Sequence, residues 1–174
     1  MELCLLNRAS FAGVYRLMEE SFPPDEIRPC REQQALLDDP RYGLYGLQDA
    51  DGSIQGVMAV WQFSEFTFLE HFAVAPQLRN QGVGSAMLHA LARLTQKEIC
   101  LEAEPPETDL KRRRVEFYKR NGFLLQDYPY MQPAISQGRK PVPLVLMTTR
   151  AHTREGLDRI KTALYRTVYR TDKA

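Results

Sequence analysis

Arg79-x-x-Gly82-x-Gly84 is the densest concentration of potential chemistry in the chain. An apolar run at 69–75, broken by Glu70 and His71, precedes it. After it Val83, Ala86, Met87, Ala90, Leu91 and Leu94 recur at helical spacing. A strand, a glycine loop and a helix start in that order offer a row of unpaired backbone N–H groups, with the positive end of a helix dipole behind them. Phosphorylated ligands bind at such places. The loop is not a dinucleotide fingerprint, since Met87 stands where the third glycine belongs and repeated βα units are missing upstream. Nor is it a Walker loop, because no Lys-Ser or Lys-Thr follows. Glu70, a carboxylate on an otherwise apolar strand, and the imidazole of His71 are candidates for proton transfer. Strand alternation puts them on opposite faces. A basic run, Lys111-Arg112-Arg113-Arg114 with Lys119 and Arg120, reads either as a solvated helix face or as help in binding a phosphate.

The elements that must hold these groups follow from periodicity and punctuation. Residues 2–6 read as a strand. Ser10 is a candidate N-cap for a helix with Phe11, Val14, Tyr15, Met18 and Phe22 on one face, which Pro23-Pro24 breaks. A short helix covers 32–37. Strands at 42–48 and 54–63 join through Asp51-Gly52, and a third strand covers 66–74. A helix over 82–96 leads to a strand at 99–104, closed by Pro105-Pro106. Asp109 is a candidate cap for the next helix, which Asn121-Gly122 stops in left-handed fashion. Strands at 123–126 and 142–149 complete the set. Beyond Arg150, Leu157, Ile160, Leu164 and Val168 form an apolar stripe, with Arg159, Lys161, Arg166 and Arg170 among them. Such a basic amphipathic helix packs on its own domain or a partner subunit; binding to a membrane surface or an acidic partner is the alternative. The expected architecture is α/β, a mixed and mostly antiparallel twisted sheet of about seven strands flanked by helices. It occupies a single domain at 1–149, with 150–174 as an appended helix.

With 174 residues, one domain with a real core is expected. The 23 basic and 22 acidic residues leave a net charge of +1, which argues against a dedicated nucleic-acid binder. Cys4, Cys30 and Cys100 make no CxxC pair, and no run approaches membrane-spanning length, so a soluble cytoplasmic chain without a metal framework is expected.

Three motifs in order give a family resemblance. Phe72-Ala73-Val74 followed by Pro76 and Arg79-x-x-Gly82-x-Gly84 is the first. Glu102 with Pro105-Pro106 and the following helix is the second, and Glu116-Phe117-Tyr118-x-x-x-Gly122-Phe123 is the third. Over 1–149 the chain resembles the GNAT superfamily of acetyl-CoA-dependent N-acetyltransferases. The resemblance implies that acetyl-CoA is the co-substrate. Its pyrophosphate would meet the amides of Arg79, Asn80, Gln81, Gly82, Val83, Gly84 and Ser85, and its pantetheine arm the backbone of Phe72, Ala73 and Val74. Arg79 would touch a phosphate or stay solvated, and Arg113 and Arg114 are the nearer candidates for the 3′-phosphate.

The implied reaction moves an acetyl group to a primary amine of a small molecule by direct attack in a ternary complex. A protein Lys or N-terminal acetyltransferase and a silent acyl-CoA-binding regulator are the alternatives. An amine of pKa near 10 needs a proton acceptor, and the departing thiolate gains from a donor. Tyr118 matches the family's acid, with a packed core tyrosine as its other reading. Glu70 is the candidate base, directly or through water, with a structural ion pair as its other reading; His71, Glu102 and Glu104 compete. Glu26 and Arg28 either recognise an acceptor's amine and carboxylate or pair with each other. The expected partner is the amine acceptor, not nucleic acid or membrane, with a homodimer left open.

Overall fold

Proline and glycine set most of the element boundaries. The structure, a computed structural model, describes residues 2–171, which form two compact units divided after Ile99. The first unit contains β1 (Cys4–Leu6), α1 (Phe11–Ser21), α2 (Cys30–Ala35), β2 (Tyr42–Gln48), β3 (Ile54–Gln62), β4 (Phe66–Val74) and α3 (Val83–Thr95). Its strands pair antiparallel in the order β1-β2-β3-β4. Val57, Met58, Ala59, Val60 and Trp61 are all fully buried, so both faces of β3 are covered. Helix α1 packs on β3 and β4, and α3 packs on β4. Gly56 marks a close approach: a Cβ there would lie 2.8 Å from Sδ of Met87, the α3 side chain that rests on it and that would have to shift.

The pairing of β3 with β4 slips once. Ala59 faces His71 and Val60 faces Leu69, leaving Glu70 as the extra residue of a β-bulge. Alternation therefore fails at the one position of β4 that carries a carboxylate.

The second unit begins within β5 (Glu98–Ala103) and adds α4 (Asp109–Arg120), β6 (Leu124–Leu125), β7 (Tyr130–Gln132), β8 (Val142–Thr148) and α5 (Arg154–Thr167). Strand β8 is its hub, pairing antiparallel with β5, β6 and β7. Helix α5 buries Leu157, Ile160, Leu164 and Tyr165. Two phenols fasten it further: Tyr165 Oη of the helix donates to Met131 O, and Tyr128 Oη, from the loop before β7, donates to Asp158 of the helix at 2.5 Å. The basic C-terminal helix thus packs within its own unit.

The α/β class agrees with the expectation, but eight strands occur among the described residues rather than about seven. The addition is β7, three residues between Pro129 and Pro133, too short for alternation to register. Thr108, not Asp109, caps α4, its side chain accepting from Lys111 N at 3.4 Å. Ser10 stands at the N-cap of α1 but makes no capping bond. One apolar residue leaves its predicted face: Leu94 is half exposed at the end of α3. No helix among the described residues is long and apolar enough to cross a membrane.

Candidate active site

Two left-handed residues, Asn80 (φ 62°) and Gly82 (φ 78°), turn the chain sharply between β4 and α3. Asparagine tolerates this conformation, and glycine adopts it freely. A Cβ on Gly82 would meet no atom within 4 Å, so the space beside the loop is open. No side chain caps α3 and no acid sits in its first turn. The first backbone bond runs from Ala86 N to Gly82 O at 3.0 Å, leaving the N–H groups of Val83, Gly84 and Ser85 without intrahelical acceptors. The Arg79 amide is already engaged, donating to Pro76 O at 3.2 Å. Its guanidinium Nε donates to Val74 O at 2.8 Å, which fastens the loop to the end of β4. Arg79 is otherwise exposed. Of the strand residues before the loop, Ala73 is buried and Phe72 and Val74 are half-buried.

The bulge organises a second cluster in the same unit. Glu70 Oε1 accepts from Arg28 Nη1 at 2.6 Å, and Glu70 Oε2 accepts from Trp61 Nε1 at 2.9 Å. The Arg28 and Glu70 side chains are only 5% and 2% exposed, so this ion pair lies in the interior. Burial pushes the Glu70 carboxyl upward. The Arg28 charge, aided by His71 and by hydrogen bonds from Arg28 and Trp61, outweighs burial and holds it below the usual carboxylate range. His71 does not point away from Glu70, as alternation predicted; the bulge brings its Nδ1 to 3.7 Å from Glu70 Oε2. Its Nε2 lies 2.8 Å from the Glu26 carbonyl, and the ring of Phe22 meets it edge-on. Arg28 is held from the other side as well, its carbonyl accepting from Tyr15 Oη at 3.0 Å. The segment after α1 is thereby tied to β4 through Glu26 and Arg28.

In the second unit, α4 ends in a Schellman motif. Gly122 (φ 88°) donates to Lys119 O at 3.0 Å and Phe123 donates to Tyr118 O at 3.1 Å. The apolar contact of that motif is the Tyr118 ring against Phe123, edge-on at 5.7 Å between centroids. Tyr118 is buried, and burial raises its phenol to about 12 against a smaller lowering by Arg114. Arg114 and Lys111 both pair with Glu104, Lys111 at 3.3 Å, so Glu104 and Arg114 are each committed to a partner. Arg113 is exposed. Glu102 accepts from two phenols, Tyr130 Oη and, at 2.6 Å, Tyr169 Oη.

A family model described as an acetyltransferase (GNAT) domain matches residues 40–124. An inferred GNAT-family acetyltransferase from Bacteroides thetaiotaomicron superposes with a TM-score of 0.87 over 99% of this chain and 100% of its own, at 29% identity. The chain belongs to the GNAT superfamily. YjbC, an inferred acetyltransferase of Bacillus subtilis (strain 168), is 30% identical over 112 residues, 63% of this chain but 55% of that protein, so the match spans about half of YjbC. An aminoglycoside 6'-N-acetyltransferase complexed with coenzyme A shares the fold at 16% identity, with a TM-score of 0.63 over 88% of this chain and 99% of its own.

Within this GNAT chain, the structure gathers Arg28, Glu70 and His71, with the backbone carbonyl of Glu26, into one cluster midway along β4, and the Gly82 loop follows the end of that strand. Sequence reasoning missed Trp61, Tyr15 and Gln33, which complete that cluster. Gln33 Nε2 donates to Tyr42 Oη at 2.7 Å, and the Tyr42 ring meets Trp61 edge-on at 5.1 Å. Trp61 carried a usable sign. A lone indole in a strand of buried residues needs an acceptor, and Glu70 was the only acid on the next strand.

Proposed function

We propose that this GNAT chain is an acetyl-CoA-dependent N-acetyltransferase acting on a primary amine of a small molecule by direct attack in a ternary complex. The observation that carries the reading is the uncapped start of α3, where three amides lack intrahelical acceptors and the space beside Gly82 is open. A pyrophosphate fits such a place in charge, in donor geometry and in room. Val83, Gly84 and Ser85 are the proposed donors, with Asn80, Gln81 and Gly82 shaping the approach. The backbone of Phe72, Ala73 and Val74 is the proposed strand for the pantetheine arm. Arg113 is the better candidate for the 3′-phosphate, because Arg114 is paired with Glu104.

Bound acetyl-CoA supplies an activated thioester carbonyl. Tyr118 is the proposed donor to the departing thiolate, suited to it because its raised phenol keeps its proton through the neutral range. Glu70 is the proposed first acceptor of the amine's proton, kept ionised by Arg28 and Trp61. Arg28 is committed to Glu70, so the reading no longer needs it to recognise a carboxylate on the acceptor. Glu26 remains a proposed acceptor-side residue.

The test is direct. Acetyl-CoA at saturating concentration is expected to raise the melting temperature while NAD and ATP leave it unchanged, and an amine panel is expected to yield a substrate that releases CoA. No shift with any CoA ester would overturn the cofactor reading. A shift without CoA release from any amine would leave a silent acyl-CoA binder. Release only with peptides would redirect the acceptor to protein amines.

A further inference from the structure

The buried imidazole of His71 is held asymmetrically. Its Nε2 lies 2.8 Å from the Glu26 carbonyl, which can only accept, so Nε2 carries the proton. In the neutral ring Nδ1 is then a bare lone pair. That atom is fully buried and has no hydrogen-bond partner, although Glu70 Oε2 lies 3.7 Å away. A buried acceptor without a donor is costly, and here it faces a second acceptor. One added proton at Nδ1 resolves both problems, turning the lone pair into a donor directed at a carboxylate.

We propose that His71 is where the proton taken from the acceptor amine by Glu70 comes to rest, with Nδ1 as the atom that holds it. The assignment rests on the acetyltransferase reading above. As the amine nitrogen bonds to the acetyl carbon and the carbon–sulfur bond breaks, the nitrogen's proton passes to Glu70 Oε2 and on to His71 Nδ1. The sulfur takes its proton from Tyr118. Solvent later removes the proton from His71 and restores that of Tyr118, so charge and hydrogen balance over the cycle.

The cluster is built for this traffic. Glu70 alone is a weak base, since Arg28 and Trp61 both favour its ionised form. His71 has an intrinsic proton affinity near neutrality. Among the described residues, the charged groups acting on the ring are Glu70, which favours its protonation, and Arg28, which opposes it. Burial is the larger effect and holds the ring below its ordinary value, so the resting imidazole is neutral and able to receive. Imidazolium would keep Nε2–H on Glu26 O and set its charge beside the Glu70 carboxylate, with Nδ1 3.7 Å from Oε2, an electrostatic contact and not a hydrogen bond. His71 acts through Glu70 and is a positioning residue; the bulge that aligns the two is its structural basis.

Two measurements test it. Imidazole nitrogen shifts of the resting wild-type protein are expected to show the Nε2–H tautomer at neutral pH, and Glu70→Gln is expected to lower the titration midpoint of His71. His71→Gln retains an N–H for the Glu26 carbonyl but has no basic nitrogen. It is expected to lower kcat at least tenfold and displace the acidic limb of the kcat profile, with KM for acetyl-CoA unchanged. A resting Nδ1–H tautomer, or a His71→Gln profile that superimposes on wild type, overturns the proposal. A wild type that turns over no amine instead brings down the acetyltransferase reading itself.

Discussion

Removing Arg28 tests the buried cluster most sharply. In Arg28→Met the side-chain volume is nearly kept, but the Glu70 carboxylate, 2% exposed, loses the cation 2.6 Å away. Breaking one side of a buried pair typically costs about 3–5 kcal/mol, because the remaining charge is left uncompensated. For a chain of this size roughly 2–4 °C of Tm accompanies each kcal/mol, so a fall of about 6–20 °C is expected. The pH dependence identifies the cause. In wild type the folded pKa of Glu70 lies below its unfolded value of about 4.3, so its contribution is present above that pH and is lost as pH falls through the folded value. In the variant burial dominates and the folded pKa rises above the unfolded one. Its penalty is then greatest at neutral pH and shrinks as acid neutralises the carboxyl. Denaturant unfolding of both proteins from neutral to mildly acidic pH is the assay, with Arg28→Met/Glu70→Gln as the companion. The double variant is expected to be more stable than the single one at neutral pH. A loss below about 1 kcal/mol, or a gap between wild type and variant that does not narrow on acidification, would refute the reasoning.

Tyr118→Phe is expected to lower kcat by roughly 10²–10⁴ with little change in KM for acetyl-CoA, the range for losing a general acid. Steady-state kinetics check it, and unchanged kcat would retire Tyr118 as the donor. Gly82→Ala forces a side chain into φ 78°, at a cost of about 1–2 kcal/mol. It is expected to lower Tm by a few degrees and weaken acetyl-CoA binding, measured by thermal unfolding and calorimetric titration. Wild-type values for both would separate the loop from the cofactor.

What was legible beforehand followed from local physics. Tyr42–Gln48, Phe66–Val74 and the stripe through Met87 and Leu91 were readable because periodicity and Asp51-Gly52 act over a few residues. The Gly82 loop was readable because glycine at a helix start is itself a statement about backbone conformation. The Glu70–His71 relation was not. Alternation assigns faces only while the ladder stays in register, and nothing local in Leu69-Glu70-His71 announces a slip against Ala59-Val60. The Arg28–Glu70 pair was hidden for a different reason. Its partners are 42 residues apart, and the nearer acid, Glu26, was the natural choice from sequence. Glu102 shows the same limit, since one of its two phenols comes from Tyr169, beyond the domain boundary that the sequence suggested.

The Tyr118-x-x-x-Gly122-Phe123 signature mixes two requirements that the structure separates. Gly122 is needed because the chain enters the left-handed region to close α4, and Phe123 because the resulting turn returns its side chain onto Tyr118. Both would be kept by any chain that keeps this helix end, active or not. The six-residue backbone closure and the Tyr118–Phe123 ring contact do not involve the phenol, so a phenylalanine at 118 would pack equally well. Only the phenolic oxygen goes beyond what the fold demands. Substituting Gly122 would therefore report on folding whatever the chemistry, whereas Tyr118→Phe removes one oxygen from an otherwise intact motif and isolates the catalytic question.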